Sequence, residues 1–498
     1  MKKRKKIQSR RPPASGRKPS GKLVARDVVL SAQALVEFQS LFAAVFRRRE
    51  QRYWSLFYLC GQLSNLERKT IEPIVLGLHG PDGNVIRALQ HHIGQGHWDS
   101  QAMLWQIHEL GAEWLGGPDG VLIVDGSGFP KQGQDSVGVA YQYCGHLGKV
   151  ANCQEGVFLL YATPQGDAFL DERLYLPQSW FEKENQSRWR ASEIPNEVVF
   201  RTEPELALDM IRALTRRAVV PYQWVTADEH FGQNPAFVQG ISALGKWYLV
   251  EVPADTRFWS RRPAIELPGQ GLLGRPRLYP RVVRSAPAAR EIREISQPLP
   301  SSAWRRYTIR EGGRGPLVAE FAFRRLVIVQ DKLPGERVWV ILRRGLSSPE
   351  TVKYYISNAP VSCSPAQFVW ASGMRWPIET ALEEAKGEVG MDHYETRTWR
   401  GWHHHMAQTF AAHLFLMRLR LLLKKKFGAH DRSSARPHCP SYRGRMPATW
   451  RHHLNDSLSP TEKLCRLLFS PQADAQKASP SNLKTLIARN LVVMKVSL

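Results

Sequence analysis

The sequence predicts an α/β protein in which a mixed sheet is flanked by helices, preceded by a helical domain and interrupted by a β-rich insertion. Three observations lead there. Apolar residues recur at helical spacing through residues 28–118, with Leu35, Phe38, Phe42 and Val45 in one set and Met103, Ile107, Leu110 and Trp114 in another. At Gly116-Gly117-Pro118 the pattern changes to short β-type runs alternating with amphipathic helices. Two of those runs end in an acid: VLIVD at Asp125 and WVTAD at Asp228.

In chain order, residues 1–27 are basic and rich in Pro, Gly and Ser, which predicts a disordered arm. Residues 28–118 form the helical domain, where Arg47, Arg48, Arg49 and Arg52 follow the first helix and Glu67-Arg68-Lys69 lies in a second. Such a basic helical module suits DNA binding, with Arg47, Arg48, Arg68 and Lys69 as phosphate contacts; a helical bundle with a solvated charged face would read the same way. From 119 to 253, VLIVDGSG, SVGVAYQY and EGVFLLYAT predict a three-stranded meander. ELALDMIRALTRRA is then a helix, YQWVTAD a strand, FVQGISAL a helix and KWYLVEV a strand. The order β-β-β-α-β-α-β, with acids closing the first and fourth strands, is that of the RNase H-like fold. Residues 254–362 are rich in Arg, Pro and Gly and carry strand-like pieces such as WRRYTI, LVAEFAF, RLVIVQ and RVWVILRR, so they read as the insertion. Helix resumes over 363–427, completing the core, and 428–498 is a basic tail with one or two further helices.

Bulk properties narrow the class. A chain of 498 residues exceeds one compact core. No apolar run is long enough to span a bilayer, and the N-terminal stretch lacks the apolar core of a signal peptide, so a cytoplasmic protein without a membrane partner is expected. Its six cysteines form no CxxC pair, which argues against a disulfide framework or a zinc knuckle. The excess of 69 Lys+Arg over 45 Asp+Glu, a formal net charge of +24, favours a polyanionic partner, nucleic acid above all. The segment GFPKQGQ lacks P-loop spacing, and His403-His404-His405 point in different directions on a helix, so DNA contact or solvent exposure suits them better than zinc.

The chemistry rests on carboxylates. Adjacent strands of a twisted sheet can bring two strand-end acids together, and Mg²⁺ binds through one or two carboxylates plus substrate phosphates. A third carboxylate is offered by RWPIETALEEAK (375–386). Pro377 suits a first helical turn, which sets Glu379 near the helix start with Lys386 two turns on and Arg375 just ahead. Taken alone, that ladder reads first as an exposed set of i,i+4 charges contributing about 0.2–0.5 kcal/mol per pair; the two aspartates ahead of it turn the reading. Asp135, Glu155 and Asp171 receive no role, and buried structural thiols are expected at Cys144 and Cys153.

These blocks resemble the DDE transposases of bacterial insertion sequences, in the IS-four superfamily and its IS-seven-oh-one-like branch. The resemblance lies in VDGSGFPKQGQDSVGVAYQYCGHLGKVANCQEGVFLLYA, in VTAD and in RWPIETALEEAKGEVGMDHYETRTWRGW, and covers residues 30 to 425. Asp125-Gly126-Ser127 matches the family's Asp-x-Thr/Ser; Arg375, Glu379 and Lys386 match its Tyr-x2-Arg-x3-Glu-x6-Lys, with Ser372 at the Tyr position. The resemblance implies a catalytic, metal-binding triad of Asp125, Asp228 and Glu379, with Mg²⁺ (or Mn²⁺) as cofactor and Arg375 and Lys386 on DNA phosphates. It implies strand cleavage by water at the element's ends and transfer of the 3′-OH to target DNA. It also implies a homodimer in a synaptic complex at the nucleoid; in some relatives the insertion contributes a tryptophan that stacks on a flipped base, for which Trp304 and Trp339 are candidates, the more common reading of each being an ordinary strand-core or surface aromatic. The alternatives are an RNase H-like nuclease without strand transfer and a non-catalytic DNA-binding derivative.

Overall fold

The computed structural model describes residues 25–269, 278–310 and 315–427. Most of the basic arm and the whole tail from 428 onward lie outside the described residues. Five helices come first: α1 (Ala25–Ser40), α2 (Arg49–Gln62), α3 (Ile71–Leu78), α4 (Gly83–Gly94) and α5 (Ser100–Leu115). Leu35, Phe38, Phe42 and Val45 are all buried, although the helix stops at Ser40 and the last two sit in a tight turn that ends in a 3₁₀ segment. The Glu67-Arg68-Lys69 stretch is the loop between α2 and α3 rather than a helix.

The next strands are β1 (Val121–Pro130), β2 (Ala140–Cys144), β3 (Lys149–Thr163) and β4 (Gly166–Tyr175). A short α6 (Gln186–Ala191), α7 (Glu203–Arg217), β5 (Trp224–Ala227), α8 (Glu229–Gly232), α9 (Pro235–Ala243) and β6 (Trp247–Val252) follow. β1 pairs antiparallel with β3 and β3 with β4, whereas β1, β5 and β6 are parallel neighbours. The order β4-β3-β1-β5-β6 is that of the RNase H-like fold. The meander is nevertheless built differently from the sequence reading. SVGVAYQY supplies only the short β2, which pairs with the first residues of β3, and the third core strand is GDAFLDERLY, β4. β4 escapes a pattern search because Asp171, Glu172 and Arg173 lie in it. They are tolerated there because Arg173 binds Asp171 at 2.5 Å and His403 binds Glu172 at 2.7 Å, so each charge is paired.

The segment after β6 extends the same sheet. It contributes β7 (Arg257–Trp259), β8 (Ile265–Glu266), β9 (Arg281–Val282), β10 (Arg290–Glu291), α10 (Ile292–Ser296), β11 (Arg305–Arg310), β12 (Leu317–Gln330), β13 (Leu333–Gly345) and β14 (Val352–Ser357). β14 pairs antiparallel with β6, then β13, β12, β7 and β10 follow outward, giving a sheet of 12 strands among the described residues. The edge that β6 would present to solvent is thereby covered. LVAEFAF and RLVIVQ, read as two pieces, are one strand, β12. Half-buried Trp304 and Trp339 are both engaged, the first under the Arg344 guanidinium at 4.0 Å and the second donating from its indole to Pro360 O at 3.2 Å.

Helices α11 (Pro365–Gly373), α12 (Trp376–Val389) and α13 (Trp399–Phe427) close the chain. α13 runs through the core, with Trp402, Met406, Phe410 and Leu414 buried. His404 and His405 are buried with them, which corrects the expectation of DNA contact or exposure. His404 sits between the backbone carbonyls of Ile93 and Trp98, and His405 between Tyr58 Oη and Met391 O; burial pushes both imidazoles down, to about 4 and about 3, so each is neutral and has one N–H to donate. Among the described residues no helix is long and apolar enough to cross a membrane.

Candidate active site

Strand register places the two aspartates. Val124 of β1 is opposite Ala227 of β5 in a parallel pair, so the next residues, Asp125 and Asp228, sit side by side, about 4.8 Å apart by strand spacing; Asp228 follows the end of β5, but β1 runs on to Pro130 in its pairing with β3, so Asp125 lies mid-strand rather than closing it. Asp125 Oδ1 accepts from its neighbour Gly126 N at 2.9 Å, and Asp228 caps α8 by accepting from Phe231 N at 3.3 Å. Burial first, and then the negative charge of Asp228, push the Asp125 carboxyl up to about 7; Arg375 works in the other direction, and Glu379 adds to the rise. Asp125 therefore senses both other acids of the expected triad.

Glu379 lies in the first turn of α12, with Pro377 in the same turn. Arg375 Nη1 donates to Glu379 Oε1 at 2.6 Å, and the two side chains are 24% and 36% exposed. Although burial opposes its charge, Arg375 is held more firmly protonated than usual by Asp125, Asp228 and Glu379. Lys386, two turns on, is half-buried over the Phe129 ring, and its Nζ donates to Gly128 O at 3.0 Å, so its head rests on β1, the strand that carries Asp125. Ser372, at the position of the motif's tyrosine, is buried and donates to Val369 O at 2.7 Å. The exposed indole beside Glu379 is Trp376, 49% accessible, with the Arg310 guanidinium 5.0 Å from its ring.

The remaining sequence candidates lie away from these carboxylates. Arg47 and Arg48 are exposed at the start of α2, and Arg68 is exposed with Glu395 at 3.6 Å. Lys69 does not fit a phosphate contact. It is 4% exposed, and its Nζ donates to Gln62 O at 2.7 Å and also to Glu388 O, tying the end of α2 to the end of α12. Burial accordingly lowers its pKa to about 8.

A second acidic group borders the first. Glu155 on β3 lies opposite Gly128, is 8% exposed, and has an Oε2 without a hydrogen-bond partner. Burial, followed by the charge of Glu203, pushes its carboxyl up to about 8, with Asp125 adding to the rise. Glu203, from the first turn of α7, faces His230 Nε2 at 3.3 Å. The glycines of Asp-Gly-Ser-Gly make the room: a Cβ on Gly126 would lie 3.4 Å from both Glu155 Oε1 and Glu203 Oε2, and one on Gly128 would lie 2.5 Å from Cys144 Sγ and 2.9 Å from Glu155 Oε2. Glu155, Glu203 and His230 thus join the site without a role expected from the sequence. The usable signals were the two glycines and His230 two residues after Asp228, whereas nothing local marks Glu203.

In chemical kind carboxylate oxygens suit a hard divalent cation, and the charge of Asp125 is already disfavoured by burial and by Asp228 beside it. Among the described residues, no group of three or more His, Cys, Asp or Glu side chains is gathered closely enough to hold a metal ion, and Glu379 is engaged by Arg375.

A family model described as DDE superfamily endonuclease matches residues 41–316, a span that includes Asp125 and Asp228 and ends before Glu379. A probable transposase for insertion sequence element IS701 from Microchaete diplosiphon is 24% identical over 336 residues, covering 66% of this chain and 73% of that protein. Among solved structures, a piggyBac transposase in a synaptic complex with hairpin DNA aligns over 80% of this chain and 76% of its own, with 10% identity and a TM-score of 0.39. With more than half of its length inside the family match and two aspartates side by side on neighbouring strands, the chain belongs to the DDE superfamily of endonucleases.

Proposed function

We propose that Asp125, Asp228 and Glu379 are the catalytic carboxylates and that they hold Mg²⁺ (or Mn²⁺) during cleavage of the element's ends and transfer to target DNA. The observation that carries this reading is the register of β1 and β5, which sets Asp125 beside Asp228, with Glu379 close enough to raise the Asp125 pKa. When bound, the divalent cation activates water and stabilises the leaving oxygen. The chain's own groups do the rest. Arg375 orients Glu379 through their 2.6 Å contact and keeps further guanidinium donors for a phosphate oxygen. Lys386 steadies the β1 backbone at Gly128 and brings positive charge beside the scissile strand. In cleavage, water oxygen bonds to phosphorus, the P–O3′ bond breaks, and the 3′ oxygen leaves as a hydroxyl. In transfer, that 3′-OH attacks a target phosphodiester and a 5′ fragment's 3′-OH is released. Exposed Arg47, Arg48 and Arg68 serve as phosphate contacts outside the cut. The helical segment 28–118, the core segments 119–253 and 363–427, and the insertion 254–362 divide this work. Two copies bridging two ends, acting in the cytoplasm at the nucleoid, form the assembly this reading calls for.

The test is excision in cells from a plasmid carrying the gene with its native flanking DNA. Wild type should lose the element and Glu379→Gln should not, while purified Glu379→Gln still binds DNA. Equal loss from both would make Glu379 an ordinary helix-surface charge and remove it from the triad. With purified protein, EDTA should stop nicking and Mn²⁺ should restore it; nicking indifferent to both would refute the metal-dependent reading.

A further inference from the structure

The first residues of β3 pair with β2, so that Ala140–Cys144 and 149–153 form a two-stranded ribbon closed by a 3₁₀ turn at Gly145–Leu147. Gly148, at a φ of +62°, reverses the chain there. The ribbon is firmly seated. Its inner face carries Cys144 and Cys153, both buried, and Gln142 donates from Nε2 to Cys153 O at 3.0 Å. At its base Asn152 Nδ2 donates to Lys131 O at 2.8 Å and to Gly133 O at 2.9 Å. Cys144 also lies against Gly128, where a Cβ would come within 2.5 Å of the thiol sulfur. Gly128 is three residues beyond Asp125, roughly 10 Å along β1, so the ribbon is tied to the strand of that acid.

The outer face differs. By strand alternation Tyr141, Tyr143 and Val150 share it, with Tyr143 directly opposite Val150. The tyrosines are 77% and 65% exposed, Val150 is exposed beside them, and Leu147 adds its side chain at the turn. Among the described residues β2 is the last strand at its end of the sheet, so no further strand covers it. A tyrosine covers about 150–250 Å² when fully buried, so these four side chains offer roughly 400–500 Å² of mostly apolar surface. Exposed patches of that size are often functional.

Charge decides the partner. Between Asp135 and Glu155 the one formally charged residue is Lys149, in a chain whose net charge is +24. DNA is held through its phosphates and calls for several cations, which this face lacks. Two copies of so basic a protein repel each other over most of their surface and approach most readily where charge is sparse. The ribbon is such a place, and aromatic side chains are what the centres of protein interfaces favour. Laid face to face across a two-fold axis, the same patch serves both copies. The side chains of the two patches then cover roughly 800–1,000 Å² in all, close to the ~1,000 Å² of a specific interface before its rim is counted.

We propose that the outer face of the β2–β3 ribbon is the surface on which two copies of this chain join, with Tyr141 and Tyr143 at its centre. The proposal rests on the reading of the protein as a transposase that bridges two DNA ends, and names the face that reading leaves open. Because each ribbon is fixed to its own β1, joining them sets the two Asp125 carboxyls at one separation.

The experiment follows the mass of the full chain by sedimentation equilibrium over a range of concentrations, for wild type, Tyr143→Lys and Tyr143→Glu. Wild type should be a dimer. Each variant sets like charges against each other across the two-fold axis and should weaken self-association at least about thirtyfold. An equimolar mixture of the two variants faces Lys with Glu and should restore the dimer, which also shows that both are folded. A monomeric wild type, with or without a duplex taken from one end of the element, would overturn the proposal. So would dimers that survive both changes, or variants that stay monomeric when mixed. Binding of that single-end duplex should change little in either variant; its loss from both while the dimer persists would make the face a DNA contact instead. Metal-dependent nicking of the same duplex tests the underlying reading separately: a wild type that dimerises with the charge pattern above but never nicks would keep the interface and remove the transposase role.

Discussion

Replacing Glu155 by glutamine should make the protein more stable, by an amount that grows with pH. The native carboxyl is pushed up to about 8, first by burial and then by Glu203, with Lys386 opposing. An unfolded glutamate ionises near about 4.3. Because the folded-state value is the higher one, the native chain keeps a proton that the unfolded chain has already released. Stability therefore falls as pH rises from about 4.3, and the loss levels off above about 8. At about 1.4 kcal/mol per unit, this amounts to about 1 kcal/mol at pH 5 and about 4–5 kcal/mol at pH 8.5. Glutamine has the same shape, is neutral throughout, and meets the same small gap over Gly126 and Gly128. Urea unfolding at the two pH values should show the variant gaining several kcal/mol at pH 8.5 and little at pH 5. An equal difference at both values, or a variant weaker than wild type at pH 8.5, would refute the account of Glu155 as a buried acid held neutral by its surroundings.

Gly128→Ala should cost about 1–3 kcal/mol, since its Cβ would press on Cys144 Sγ at 2.5 Å, whereas Gly133→Ala, with open space around it, should be close to neutral; thermal unfolding separates the two. Lys69→Met strips donors from the carbonyls of Gln62 and Glu388 and should cost about 2–3 kcal/mol, while the salt dependence of DNA binding keeps its slope; a slope reduced by about one would return Lys69 to the phosphate contacts. Arg375→Ala frees Glu379 from its 2.6 Å partner and should reduce nicking at least about tenfold, with Arg375→Lys recovering only part, because a single ammonium cannot grip the carboxylate and a phosphate at once; full recovery by lysine would argue for charge alone.

Several features could be read locally because local chemistry determines them. An apolar run that stops at an acid marks Asp125 and Asp228, and a proline followed by spaced charges marks the start of α12 with Arg375, Glu379 and Lys386. The buried helical face of Leu35, Phe38, Met103 and Ile107 needed only its period. What remained hidden depends on partners distant in sequence. β4 was missed because its charges look exposed until His403, 231 residues later, is placed on Glu172. Lys69 looked like a phosphate ligand until α12 brought the Glu388 carbonyl to it, 319 residues away. His404 and His405 seemed exposed because no neighbouring residue supplies the carbonyls and hydroxyl that satisfy them in the core.

The sequence by itself marked most of the helices and strands, the two aspartates that follow apolar runs and the basic character, all set by residue type and spacing along one strand or helix. Only the tertiary structure decided that the insertion continues the core sheet from β6, that Glu155 and Glu203 crowd the glycines beside Asp125, and that the β2–β3 ribbon turns Tyr141 and Tyr143 outward. Each of these depends on register or packing between distant segments, and a buried polar group shows its meaning only once the groups that pair with it, or fail to, are in place.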